Sequence, residues 1–191
     1  MTAQTPPTSG SPTQPLGGSE GTGLGTRADG IGHGAPAGYA TVTPWVISSD
    51  TGRLIEFVQE AFGAHELARV PGPDGRVGHA EVRIGDAVVM MFDRAGDWPD
   101  TPGFLRLYVE DADLVYERAL AAGATPVTPV TGLFFGDRVG RVRDPLGNIW
   151  WIQAHVEDVD PAELARRPRD PGAMAALRFV ETSLDEAMRP N

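Results

Sequence analysis

"GDRVGRVRDPLGNIWWIQAHVED", residues 136–158, holds two runs in which apolar residues alternate with polar or charged ones, separated by the turn signal "DPLGN" at 144–148. Alternation with a period of two is the mark of a β-strand with unlike faces, so the stretch predicts a hairpin. Its second strand opens with adjacent tryptophans, Trp150 and Trp151. Successive side chains on a strand point to opposite faces, so one indole enters a core while its neighbour lines the other face.

Working outward, the hairpin closes a unit that occurs twice. In the first copy "TVTPWVIS" (41–48) predicts a strand, and Asp50 caps the helix "TGRLIEFVQEAF" (51–62). Leu54, Phe57, Val58, Ala61 and Phe62 fall on one face of that helix, and Gly63 ends it. "HELARV" (65–70), "RVGHAEVRI" (76–84) and "AVVMMFDR" (87–94) then predict three strands, the last two joined at Gly85-Asp86. In the second copy "FLRLYVE" (104–110) is the strand, "DADLVYERALAAG" (111–123) the helix from Asp111 to Gly123, "TPVTPV" (125–130) a short strand, and the opening stretch the hairpin. Gly63-Ala64 and Gly123-Ala124 close the two helices at the same point of each copy, which is the sign of an internal repeat.

Residues 1–38 are rich in Gly, Pro, Ser and Thr and nearly free of large apolar groups, so burial cannot offset their ordering entropy and a disordered tail is expected. Within it "GTGLGT" lacks the flanking strand and helix of a nucleotide-binding loop. After the second copy, residues 160–191 predict a helical extension: Asp160, Pro161 and Glu163 start one helix, and Asp170-Pro171 start another with the apolar stripe Leu177, Val180, Leu184 and Met188. That stripe covers either its own domain or a partner subunit.

Composition narrows the function. The 191 residues are 41% hydrophobic and carry a formal charge of −10, which disfavours nucleic acid and favours a neutral or cationic small-molecule partner. No stretch reaches the roughly 18 apolar residues of a membrane span, and no signal core opens the chain, so a cytoplasmic protein is expected. Without cysteine, the strong metal ligands reduce to carboxylates and His33, His65, His79 and His155. His33 lies in the tail, His65 starts a strand, and His155 ends one where backbone or solvent contact is expected.

Three segments, "IEFVQEAFGAHELARVPGPDGRVGHAEVRIGDAVVMMFD" (55–93), "LYVEDADLVYERALAAGATPVTPV" (107–130) and "GDRVGRVRDPLGNIWWIQAHVEDV" (136–159), resemble the glyoxalase/bleomycin-resistance/dioxygenase (vicinal oxygen chelate) superfamily, and within it the small bleomycin-resistance-like bacterial branch. The resemblance covers about residues 40–160 and implies an α+β fold: two tandem βαβββ modules, about 39–98 and 102–158, whose curved sheets form a cup for a small molecule. It places Trp151 on the cup side with Phe104, and Trp150 with Ile152 against the helix. Metal-dependent members carry His or Glu at four strand positions that correspond here to Thr43, Met90, Phe104 and Trp151. None of these is a ligand for a divalent ion, so the resemblance implies an aromatic cup without metal or other cofactor.

The expected ligand-binding set is Trp45, His79, Glu81, Met90, Phe104, Arg106, Tyr108, Phe135, Asp137, Arg138 and Trp151. His79, Glu81 and Arg83 share one strand face beside Phe92, Met90 and Val88, where His79 and Glu81 are the candidates for an acid/base or metal-ligating pair, and the plainer reading is a solvated Glu81–Arg83 pair. Asp137 and Arg138 lie on the loop into the last hairpin, as a gate to the cup or as a loop salt bridge. The leading expectation is a homodimer that sequesters a small aromatic or cationic molecule, as in drug resistance. The alternatives are a lyase, isomerase or dioxygenase built on His79 and Glu81, and an accessory domain that recruits a protein through its tail and terminal helices.

Overall fold

The structure, a computed structural model, describes residues 34–189. Of the expected tail, residues 1–33 lie outside the described residues. The first module runs β1 (Trp45–Ser48), α1 (Thr51–Phe62), β2 (His65–Pro71), β3 (Val77–Ile84) and β4 (Ala87–Asp93). The second repeats it as β5 (Phe104–Tyr108), α2 (Ala112–Ala121), β6 (Thr125–Gly132), β7 (Asp137–Arg143) and β8 (Ile149–His155). Each module is one four-stranded sheet, in the orders β1-β4-β3-β2 and β5-β8-β7-β6. The outer strand of each, β1 or β5, runs parallel to its neighbour, and the remaining pairs are antiparallel. Two βαβββ modules of an α+β fold are what the repeat predicts.

Local chemistry sets the element ends. Asp50 accepts from the Arg53 amide at 3.0 Å and Asp111 from the Leu114 amide at 3.0 Å, each satisfying a helix N-terminal donor. At the other end of α1, Gly63 adopts φ +66° and its amide donates to the Gln59 carbonyl, a conformation that costs a Cβ-bearing residue strain. β1 is shorter than the predicted strand: Pro44 has no N–H to donate and contributes only its carbonyl, which accepts from Met90 N at 2.9 Å. β6 is longer than predicted, at the cost of an irregular register around its prolines.

Both helices pack on the same side of the molecule. Leu54, Ile55, Phe57, Val58 and Ala61 of α1 are buried with Val82 and Met91 of the first sheet, and Ala112, Tyr116 and Ala119 of α2 with Val142, Trp150 and Ile152 of the second. These form one continuous core, in which Phe62 lies 4.9 Å from the Trp150 ring. The sheets adjoin at β1 and β5, where a Cβ on Gly103 would stand 3.6 Å from Val46 Cγ2.

The "DPLGN" turn is pinned by one carboxylate. Asp144 is buried and accepts from Leu146 N, Asn148 N, Asn148 Nδ2 and Trp150 Nε1, all within 3.0 Å. Asn148 Oδ1 in turn accepts from Gly103 N at 2.8 Å and ties the turn to the start of β5. A buried acceptor surrounded by four donors leaves the chain no other low-energy path there.

The extension forms α3 (Pro161–Arg166) and α4 (Pro171–Met188). Part of the apolar stripe of α4 covers its own domain: Val180 is buried with Leu133 and Val139, and Leu177 packs against that cluster, as do Phe135 and Trp151, whereas Met188 at the end of the stripe is 55% exposed. β7 clasps the helix through Arg141 Nη1, which donates to the Val180 carbonyl at 2.7 Å, and Arg143 Nη2, which donates to the Ala187 carbonyl at 2.8 Å. No helix among the described residues is long and apolar enough to cross a membrane.

Candidate functional site

With α1 and α2 on one side, strand alternation turns the other set of side chains to the opposite face of both sheets, and on the second sheet α4 covers this face over β6 and β7, leaving it open at β5. On the first sheet this open face carries Trp45, His79, Glu81, Met90 and Phe92; the register pairs Trp45 with Met90 and Met90 with Glu81 across adjacent strands. Trp45 lies edge-on to Phe92 at 5.2 Å and tilted against His79 at 5.9 Å, and Phe92 meets Trp98 edge-on at 6.2 Å. Trp45 is nonetheless 56% exposed. The alternation of Phe92 with Met90 is legible in the sequence, whereas Trp98 arrives from the loop after β4 and carries no such signal.

Glu81 is the polar centre of this face. It accepts from the Tyr39 hydroxyl and contacts His79 Nε2 at 3.1 Å. The Tyr39 hydroxyl, and after it His79, hold the Glu81 carboxyl below the usual range, while the same bond pushes the Tyr39 phenol up. The expected Glu81–Arg83 pair does not form, because the carboxylate is turned to His79 and Tyr39. Tyr39 carries no signal in the sequence beyond its place at the start of the first module; its partner is 42 residues away, a separation no local pattern reveals.

On the second sheet the open face carries Phe104, Arg106 and Tyr108 of β5, and Trp151 of β8. Phe104 and Tyr108 are 49% and 68% exposed. Trp151 sits in a cross-strand row, opposite Arg106 on β5 and Arg141 on β7, with Thr128 of β6 next to Arg141. The two guanidinium carbons stand 4.2 Å and 3.8 Å from the indole centroid, and Phe104 lies edge-on at 6.3 Å. Arg141 is buried beneath α4, where it also donates to Thr128 Oγ1 at 3.0 Å. Burial, and then the charge of Arg106, push its guanidinium down to about 10. Trp150 points the other way into the core, as the alternation predicts.

The other three predicted residues divide: Asp137 is on the same side of β7 as Arg141, Arg138 is turned to the side of α2, and Phe135 packs against the cluster under α4 that also holds Trp151. Phe135 packs edge-on to Phe134 at 5.4 Å and under α4. Asp137 and Arg138 are the first residues of β7 rather than a loop, so they point to opposite faces and do not pair. Arg138 forks onto Asp113 with two 2.8 Å bonds, lowering the Asp113 carboxyl. Asp137 accepts from Gln153 and contacts His155 Nδ1 at 2.7 Å, while His155 Nε2 meets Asp158 at 2.9 Å. His155 is half exposed to solvent, as expected, and in addition contacts two carboxylates.

The positions at which metal-dependent relatives would carry ligands do not fit a divalent ion. Met90 offers a thioether, Phe104 and Trp151 offer rings, and the Thr43 hydroxyl donates to the Ala40 carbonyl at 3.0 Å. Among the described residues no three His, Asp or Glu side chains gather as a metal site.

Comparison with known proteins places this geometry. Residues 37–152 match the profile of the Glyoxalase/Bleomycin resistance protein/Dioxygenase superfamily. The chain is 38% identical over 137 residues to the uncharacterized protein Rv0887c of Mycobacterium tuberculosis (strain ATCC 25618 / H37Rv), covering 64% of this chain and 79% of that one. It is likewise 38% identical to the uncharacterized protein Mb0911c of Mycobacterium bovis, of which it covers 88%. Among solved structures, TioX from Micromonospora sp. ML1 superposes with a TM-score of 0.52 at 26% identity, over 60% of this chain and 98% of TioX. Protein PA1353 from Pseudomonas aeruginosa superposes with a TM-score of 0.52 at 18% identity, over 61% and 98% of the two chains, a likeness of fold alone.

Proposed function

The chain belongs to the Glyoxalase/Bleomycin resistance protein/Dioxygenase superfamily, and on that premise we propose that its open face is a metal-free aromatic cup that binds and sequesters a small, flat molecule. The observation that carries this reading is the set of large aromatic side chains, Trp45, Phe104 and Tyr108, turned to the side away from the helices and left about half exposed or more. Aromatic surface at that density is covered in the working state by a ligand or a second subunit, because contiguous exposed apolar patches mark binding sites. The donor set at the superfamily's metal positions supports binding by stacking and burial over Lewis-acid chemistry. In this reading the protein works as a cytoplasmic homodimer, and resistance to an aromatic drug by sequestration is its physiological use.

Native mass spectrometry of the full chain, purified without chelator and with divalent ions supplied, tests the proposal. A metal-free dimer that retains or takes up an organic ligand supports it. One chelator-removable metal per subunit overturns it.

One observation favours a second reading. The Tyr39–Glu81–His79 contacts set a depressed carboxylate beside an imidazole on the open face, an arrangement suited to proton transfer in a lyase or isomerase. Under that reading Glu81→Gln abolishes turnover of a substrate found by screening while leaving its binding intact; under the sequestration reading the same variant has no turnover to lose.

A further inference from the structure

The row Arg106–Trp151–Arg141 places two cations against one indole, on neighbouring strands and on the same face. Neither guanidinium has a carboxylate within ion-pair distance among the described residues, although the chain as a whole carries a formal charge of −10. Arg141 is 2% exposed, and its hydrogen bonds go to neutral acceptors, Thr128 Oγ1 and the Val180 carbonyl. Arg141 Nε and Trp151 Nε1 are buried donors without a partner among the described residues. Cation–π contact compensates part of the cost of two like charges held this close, but it supplies no counter-charge.

The two arginines differ in what the fold asks of them. Arg141 clasps α4, which is reason enough for its burial. Arg106 clasps nothing: it lies on the edge strand β5, exposed, between Phe104 and Tyr108 on the same face, and makes no hydrogen bond to the described residues. Its guanidinium is laid against the Trp151 ring, 4.2 Å from the centroid, and its N–H groups keep no hydrogen-bond partner among the described residues. A planar fork with unpaired N–H groups beside aromatic rings recognises an oxyanion carried by a flat ligand, because the fork matches two oxygens at once while the rings stack on the ligand body. Arg141, stacked on the same indole from β7 and buried under α4, adds positive potential without competing for the oxygens.

We propose that Arg106 and Trp151, backed by Arg141, form a subsite for the anionic group, carboxylate or phosphate monoester, of a flat aromatic ligand. This inference rests on the reading of the open face as a small-molecule cup. It departs from the cationic ligand that the net charge suggests: net charge sums the whole surface, whereas the sign at this row is set by the residues on it.

Titration of the full chain with naphthoate, naphthyl phosphate, naphthamide and naphthylmethylammonium, read by tryptophan fluorescence and calorimetry at neutral pH, tests it. The expected result is that at least one anion binds about tenfold more tightly than the amide and the ammonium, with an affinity that falls as salt rises. Which anion is the tighter identifies the group recognised. Arg106→Gln then brings the anions to the affinity of the amide, changes amide binding by less than about twofold, and leaves thermal stability unchanged, as expected for an exposed side chain. Arg106→Lys, which keeps the charge and loses the fork, recovers only part of the anion preference.

Equal binding of all four probes, tightest binding of the ammonium, or an anion preference that survives Arg106→Gln would each overturn the anion subsite while leaving the cup intact. Failure of all four to bind at millimolar concentration would instead remove the cup reading, and this inference with it.

Discussion

Trp150 Nε1 donates to Asp144 Oδ2 at 2.8 Å with both side chains buried, so the turn that begins the last strand is bonded to the second side chain of that strand. One carboxylate thus holds the turn, the core indole and, through Asn148, the first strand of the second module. Asp144→Asn replaces an acceptor oxygen with a donor among groups that all donate, and is expected to cost about 2–4 kcal/mol in chemical denaturation. Trp150→Phe keeps most of the ring volume and leaves Asp144 its other donors, so its expected cost is smaller, about 1–3 kcal/mol. Equal losses would show that the indole, not the carboxylate network, is the dominant element.

Gly136 enters β7 with φ +95°, and a Cβ there would stand 2.0 Å from the Glu157 carbonyl oxygen. Its own carbonyl accepts from Val156 N and Glu157 N, so backbone on both sides of the contact is fixed. Gly136→Ala is expected to destabilise by about 2–4 kcal/mol, from the sum of left-handed strain and overpacking. Thermal unfolding monitored by circular dichroism measures it; a change below about 1 kcal/mol would mean that the segment yields.

Asp158, and after it Asp137, raise the pKa of His155 above its ordinary value. A raised folded-state pKa means that the contribution is fully present below the unfolded value of about 6.5 and disappears as pH rises through the folded value. Wild-type stability should therefore decline over the window that opens at about pH 6.5 and extends upward. His155→Gln should be less stable than wild type below that window and should lose the dependence. Parallel pH profiles for the two proteins would remove His155 as the cause.

Val180 is the buried residue of α4. Val180→Ala removes two methyl groups from the small cluster with Leu133 and Val139, at an expected cost of about 1–3 kcal/mol. Because this cluster is separate from the main core, the loss should act on the helix as a local opening. Amides of α4 are expected to exchange about tenfold faster or more, while those of α1 keep their protection. Uniform loss of protection across both helices would show that α4 unfolds only with the whole domain.

Much of this architecture is legible in the sequence because its determinants are local. The period-two alternation separates Trp150 from Trp151, and Asp50, Asp111, Asp160 and Asp170 cap the helices where the pattern predicts. What escapes reading depends on meetings between distant segments. The stripe on α4 says that the helix is covered, not that β6 and β7 cover it, so Arg141, one of the polar positions in the opening quotation, could not be recognised as buried. Asp137 and Arg138 read as loop residues because two phenylalanines and a glycine precede them. The strand begins immediately after Gly136, and alternation then sends the two side chains to opposite faces.

The adjacent indoles also differ as optical reporters. Trp150 has no exposure and sits beside a carboxylate, whereas Trp151, one peptide bond away, lies between two guanidinium groups on the open face. Opposite local fields shift the two transitions differently, so emission from Trp150 follows the integrity of the core and emission from Trp151 follows what happens on the open face. A Trp151→Phe variant keeps Trp45, Trp98 and Trp150, so the difference between its emission and that of the wild type isolates the contribution of Trp151.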